Sequence, residues 1–374
     1  MEYTYQFFTG GFEAAAPDGA GEMLRGLYER IGPGDVIAGW SERGGYRELA
    51  ELAHAAGRRI WLWLPVFSEM SVTSAPDPAI GVSGLPQTGL AITPGEDFRF
   101  VCPSSERNLE IIFDLYSRYF AELPFDGVFL DKIRHASFAA GMEGGFGCFC
   151  EKCRAYYAER GTDAGEIARR VAEDPAAFIP SALEGCAYRY DDAEIDKFYR
   201  AKADIITGAV AKIREFFNGA GLETALDVFA PVLAYLVGQD LRALGERAAF
   251  IKSMLYRVTN APAGIPYELS ALKNNIRSGG DMITALKKLW RTDDLLSDEC
   301  MRSQLDSAGL NRELIRPGFE ANVAPGVCES APEYVQSCAA LYGGMGYENA
   351  VLCWNMLADT GKNIDALRRR NKNN

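Results

Sequence analysis

The sequence predicts a (β/α)8 barrel. Three observations carry that reading. Short runs rich in aromatic and β-branched residues recur along the chain, amphipathic segments separate them, and the strand–helix units number eight. Strands that alternate with helices imply parallel βαβ units. Near-continuous apolar runs imply strands covered on both faces, and eight is the number that closes a barrel.

The first run is TYQFFTG (4–10), followed by DVIAGW (35–40), RIWLWLPVF (59–67) and FDGVFLDKIR (125–134). LETALDVFAP (222–231), FIKSMLYRV (250–258), LIRPGFEANV (314–323) and AVLCWNML (350–357) complete the set. Between them, apolar residues return at helical spacing in YRELAELAHAAG (46–57), LEIIFDLYSRYFAEL (109–123) and KADIITGAVAKIREFFNGAG (202–221). LRALGERA and PEYVQSCAALYGGMG continue the series. A doubly wound open sheet would use the same alternation, but no GxGxxG follows the first strand, where the glycines of GGFEAAAPDG are adjacent.

One barrel domain is therefore expected over residues 1–374. Two connections are too long for bare loops, at about 68–103 and 135–194. The first is rich in Pro, Gly, Ser and Thr, and the second carries a helical patch before the polar run AYRYDDAE. At the carboxyl ends of strands three and four, such insertions roof the barrel mouth, where binding residues concentrate.

Composition narrows the function. Hydrophobic residues make up 48% of the 374, ample for a large core, and the formal net charge is −12. A nucleic-acid partner is not expected, because a phosphate backbone demands a concentrated basic surface. The basic run RRRNKNN at the C-terminus reads as a frayed helix end. No stretch approaches the ~20 apolar residues that span a bilayer, and the first residues show no leader pattern. Nine irregularly spaced cysteines fit a reducing cytoplasm better than a disulfide framework. Neither a G-x-S-x-G elbow nor a Walker glycine loop is present, so esterase and nucleotide readings lack support.

The segment GCFCEKC (147–153) places Cys148, Cys150 and Cys153 within six positions, shortly after the fourth strand. Thiolates bind Zn²⁺ tetrahedrally, and close pairs on a turn let several sulfurs converge on one ion. The expected fourth ligand is Cys102 in VCPSSER, with Cys186 as the second candidate. Four sulfurs leave no open position, so the zinc would be a structural staple rather than a catalytic centre. The other reading of the cluster is small apolar filler.

Residues at the carboxyl ends of barrel strands face the active site. Three acids stand there: Asp131 closes the fourth strand, Asp227 lies late in the fifth and Glu320 late in the seventh. Paired carboxyls flanking a scissile bond are what glycoside hydrolysis needs. Strands four and seven face each other across the mouth, which suits Asp131 with Glu320. The opposing reading has Asp131 merely paired with Lys132 or Arg134. Trp40, Tyr256 and Trp354 at other strand ends offer aromatic faces for sugar C–H surfaces. Lys132, Arg134 and Arg257 offer charged donors that suit an anionic sugar such as a uronic acid. His54 reads as a surface residue of the second helix, while His135 follows Arg134 closely enough to approach the site.

A cysteine followed some 45 residues later by C-x-C-x₂-C after the fourth strand resembles the structural zinc site of family 42 β-galactosidases, which are (β/α)8 glycoside hydrolases. FDGVFLDKIR followed by CFCEKCR is also similar to a group of poorly characterised glycosidase-like barrel proteins from bacteria. The resemblance covers about 102–154. It implies a carbohydrate substrate, a homo-oligomer, Asp131 as acid/base and Glu320 as nucleophile. The chain departs from the pattern at strand four, where Leu-Asp-Lys stands in place of Asn-Glu and the carboxyl reaches one methylene less far. LDKIRH (130–135) also resembles the strand-four segment of α-amylase-type barrels, which would make Asp131 the nucleophile. That departure keeps one rival open, an inactive barrel that binds carbohydrate or a partner protein; a second is a lyase or isomerase using Lys132 as base.

Overall fold

The computed structural model describes residues 1–14, 18–69, 72–89, 98–246 and 248–368. Eight parallel strands close on themselves in sequence order. They are β1 (Glu2–Phe8), β2 (Val36–Gly39), β3 (Ile60–Pro65), β4 (Gly127–Asp131), β5 (Glu223–Phe229), β6 (Ile251–Met254), β7 (Ile315–Glu320) and β8 (Asn349–Cys353). β8 returns to pair with β1, with Tyr3 beside Ala350 and Tyr5 beside Leu352. Every predicted strand is present and the predicted class is the observed one.

β2, β3 and β4 are buried at every position. One set of side chains fills the barrel and the other packs under the helices, which is why the runs read as continuously apolar. The barrel filling is not purely apolar. Toward its N-terminal end, Arg316 lies 3.9 Å over the ring of Phe250 and donates to Thr4 Oγ1 and Asp35 Oδ2, both at 2.9 Å. One layer higher, Lys252 takes the centre. Buried charges persist only when paired and hydrogen-bonded, and both are.

The helices start where local chemistry provides caps. Ser105 accepts from Asn108 N at the head of the helix Glu106–Tyr119. Asp192 accepts from Glu194 and Ile195 at the head of the 27-residue helix Ala193–Gly219. An N-cap of this kind is worth about 1 kcal/mol. The long helix buries Ile195, Phe198, Tyr199, Ile206, Val210, Ile213 and Phe217 along one face, with Lys202 interrupting that stripe. No helix among the described residues is long and apolar enough to cross a membrane.

Both predicted insertions sit on the carboxyl side of the strands they follow. Part of the first, residues 70–71 and 90–97, lies outside the described residues, as does the basic run RRRNKNN beyond Arg368. The second contains helices Glu151–Glu159 and Ala164–Glu173 and a small hairpin pairing Ala182–Glu184 with Ala187–Arg189. Gln87 joins the two insertions, its amide donating to Gly147 O at 2.7 Å and Glu143 O at 3.0 Å. Lys202 anchors the second from below through Nζ–H bonds to Gly145 O at 2.8 Å and Leu236 O at 2.7 Å.

Candidate active site

A recess opens at the carboxyl ends of the strands, enclosing about 610 Å3 of empty space with the solvent at its mouth included. Its polar wall is Gln6, Asp131, Lys132, Arg134, Asp227 and Thr259; its apolar wall includes Trp63, Phe229, Tyr256 and Trp354. Convergent polar groups in an otherwise apolar hollow are the usual form of a small-ligand site.

Asp131 ends β4. Its Oδ2 accepts the indole N–H of Trp63 at 2.9 Å and its Oδ1 accepts the backbone N–H of Lys132 at 2.5 Å. It makes no ion pair with Lys132 or Arg134 among the described residues, so the pairing alternative does not hold. Lys132 takes the left-handed region at φ 54°, a conformation uncommon for non-glycine residues. That turn folds the chain back so that Asp131, Lys132 and Arg134 all border one hollow. The ammonium of Lys132 lies 3.0 Å from Glu69 Oε1 and 4.2 Å from the Phe98 ring centroid.

Asp227 lies one strand over and is 1% exposed. Its Oδ2 accepts from Lys252 Nζ at 2.8 Å, and the same ammonium donates to Gln6 Oε1 at 2.9 Å. Gly318 makes room for this lysine, because a Cβ there would stand 2.8 Å from Lys252 Cε. Burial pushes the Asp227 carboxyl up to about 7; the nearby ammonium of Lys252 pulls against that shift and the Asp131 charge adds to it. Asp227 Oδ1, Gln6 Nε2 and Trp354 Nε1 are all buried without a hydrogen-bond partner among the described residues. All three residues border the recess. Buried polar groups are normally satisfied, so three orphans in one hollow mark a place built to meet a polar ligand.

Glu320 is placed differently. It is fully buried, and Oε1 accepts from Val258 N at 2.9 Å and from Thr259 N and Oγ1 at 3.0 Å. Oε2 accepts the hydroxyl of Tyr334. With both oxygens engaged and Thr259 between it and the recess, Glu320 holds the loop after β6 and does not border the cavity. Arg257 is also turned away, toward Asp298 at 2.6 Å and Leu296 O at 3.2 Å. Trp40 packs 5.5 Å from Phe12 outside the recess. His54 is on the surface against Asp126 at 2.9 Å, and His135 is buried behind the site.

The sequence reading did not single out Lys252, Gln6 or Trp63. A signal was present for the first two. A lysine inside FIKSML and a glutamine inside TYQFF interrupt buried strands, where charge and amide groups survive only with a partner across the barrel.

The sulfurs of Cys102, Cys148, Cys150 and Cys153 lie within 4.8 Å of one another. Cys102 Sγ is 3.4 Å from Cys150 Sγ and 3.7 Å from Cys153 Sγ. Those separations are far from a disulfide bond. They approach the ~3.8 Å sulfur–sulfur edge of a tetrahedron with Zn–S near 2.3 Å. Ile80 N–H points at Cys148 Sγ at 3.4 Å, the kind of outer contact that steadies a thiolate ligand. The residues present therefore fit a tetrahedral thiolate-bound metal, and Cys186, bonded toward Gln304 O, is not among them. None of the four borders the recess.

No family model and no curated protein matches the chain. Solved structures with the same fold do. The glycoside hydrolase domain of PgaB (BpsB) from Bordetella bronchiseptica aligns with a TM-score of 0.59 at 12% identity, covering 99% of both chains. Alpha-L-fucosidase isoenzyme 2 from Paenibacillus thiaminolyticus aligns with a TM-score of 0.52 at 10% identity, covering 98% of this chain and 48% of that one. At such identities the likeness is one of fold, a closed parallel α/β barrel of the kind these glycoside hydrolases use.

Proposed function

We propose that the chain is a glycoside hydrolase whose working carboxyls are Asp131 and Asp227. The observation that carries this is the pair itself. Two buried carboxyl groups from adjacent strands border one recess, and their environments differ. Asp227 is held near neutrality by burial, with Oδ1 unsatisfied. Asp131 accepts two N–H donors. A buried carboxyl raised to about 7 suits the acid role and leaves the nucleophile or base role to its neighbour.

In this reading Asp227 donates its proton to the leaving glycosidic oxygen as the C1–O bond breaks. Asp131 either adds to the anomeric carbon directly or removes a proton from the water that does. Lys252 holds Asp227 through Oδ2 and leaves Oδ1 for the transfer. Gln6 Nε2 and Trp354 Nε1 meet sugar hydroxyls, and the faces of Tyr256 and Trp354 cover apolar sugar surface. The four-cysteine centre would hold a structural zinc, whose chemistry is to cross-link the two insertions. Glu320 positions the Thr259 loop in place of the nucleophile role that the family 42 resemblance implies.

One observation favours a second reading. The Asp227–Lys252 ion pair is buried, and an acid so held could serve binding alone, leaving a barrel that retains carbohydrate without cleaving it. Hydrolysis of a broad panel of aryl glycosides, uronides included, decides between them. Wild type is compared with Asp131→Asn and Asp227→Asn, each verified as folded by circular dichroism. Activity lost in both variants supports the hydrolase; saturable sugar binding without turnover supports the binding protein.

A further inference from the structure

Three cations stand in the strand-end segments, and the structure leaves one of them without an acid. Lys132 faces Glu69 and Arg257 faces Asp298. Arg134 is 3% exposed and has no carboxylate within 4 Å among the described residues. Its guanidinium carbon lies 4.6 Å from the ring centroid of Phe100 and 4.3 Å from that of Phe229. Two aromatic rings therefore lie against the cation. Its edge, which carries five N–H donors, makes one hydrogen bond among the described residues, from Nη1 to His135 O at 3.0 Å. The residue borders the recess beside Asp131 and Asp227.

Burying a cation is costly unless something answers its charge. The three nearby acids do so only at a distance, and each is occupied. Asp227 is bound to Lys252, Asp131 accepts from Trp63 and Lys132, and Glu268 accepts from Ala263 N at 3.0 Å. A guanidinium packed against aromatic rings, with N–H donors left over, is suited to the in-plane, two-oxygen approach of a carboxylate.

We infer that Arg134 is a specificity residue that receives a carboxylate carried by the substrate, so that the recess takes an acidic sugar of the uronic acid class. This rests on the carbohydrate reading above and narrows it. Burial lowers the Arg134 pKa only to about 10, so the cation stays charged through the neutral range. In a uronate the carboxyl sits on C5, joined to the anomeric carbon through the ring oxygen, so an arginine bordering the same recess as Asp131 and Asp227 can hold it while they act on the neighbouring C1–O bond.

The test is equilibrium binding, independent of turnover, by titration calorimetry of the intact protein. D-glucuronate and D-galacturonate are compared with D-glucose and D-galactose. For wild type, at least one uronate should bind about 10- to 100-fold more tightly than its neutral counterpart, the range of charge-assisted hydrogen bonds. Arg134→Met, which keeps an apolar chain against the two phenylalanines, should remove that preference. Arg134→Lys should retain part of it. Equal or tighter binding of the neutral sugars, a preference unchanged in Arg134→Met, or no saturable uronate binding up to about 50 mM overturns the inference. Neutral glycosides hydrolysed without any uronate preference would refute the acidic-sugar assignment while leaving the hydrolase reading intact. Uronates bound through Arg134 but never cleaved would do the reverse.

Discussion

Removing the metal proposed for the four-cysteine centre should destabilise the protein by a calculable amount. Cys102 and Cys150 are 48 residues apart in sequence. A cross-link closing a loop of that length removes unfolded-state entropy worth about 4 kcal/mol at 25 °C in the chain-entropy treatment. Spread over the unfolding entropy of a chain this size, that corresponds to roughly 5 °C in Tm. The assay is thermal unfolding by circular dichroism, before and after treatment with a strong chelator, with metal content measured on the same samples. Cys102→Ser should behave as the chelated protein, unresponsive to further chelation. Cys186→Ser, also a buried thiol but outside the cluster, should keep both its metal and its response. Clearly less than one metal ion per chain, or an unchanged Tm on chelation of metal-loaded protein, would refute the reasoning.

Four further outcomes are expected. Turnover should fall as pH rises past about 7, since the acid role needs protonated Asp227; Lys252→Met removes the cation that lowers this pKa and should move the limb to higher pH in a pH–rate profile. The same shift makes Asp227 a group whose stabilising contribution is complete below pH ~4 and lost as pH rises through about 7. Asp227→Asn should therefore flatten the pH dependence of urea unfolding by several kcal/mol across that window, about 1.4 kcal/mol per pH unit. Lys202→Met should cost about 2–4 kcal/mol in denaturant unfolding, because the buried carbonyls of Gly145 and Leu236 lose their donor. Glu320→Gln should lower stability while retaining measurable turnover of folded protein; loss of all turnover with an unchanged Tm would return Glu320 to the reacting groups.

The strands were legible because their signal is local. Each is a short β-branched or aromatic run bounded by polar turns, and burial on both faces left no alternation to misread. The thiol cluster was legible for the same reason, three of its ligands lying within six positions. The recess was only partly so. A strand-end position says that a side chain is near the mouth, not which way the following loop carries it. Arg257 and Glu320 satisfy the same sequence rule as Arg134 and Asp227, yet the loop after β6 wraps over Glu320 and the helix beginning at Asp298 draws Arg257 outward. Those contacts are between segments some 40 to 60 residues apart, and no spacing pattern encodes them.

The unsatisfied atoms of Gln6, Asp227 and Trp354 also bear on how such a chain drifts or is engineered. Gln6 Oε1 and Asp227 Oδ2 hold the buried ammonium of Lys252, so an apolar replacement at either would strand that charge, whereas the indole N–H of Trp354 forfeits hydrogen-bonding free energy that an apolar ring would not. A library of variants selected for heat resistance alone should therefore accumulate replacements such as Trp354→Phe in the barrel mouth while retaining Gln6 and Asp227. Persistence of Trp354 in any descendant is then a record of selection for binding rather than for folding.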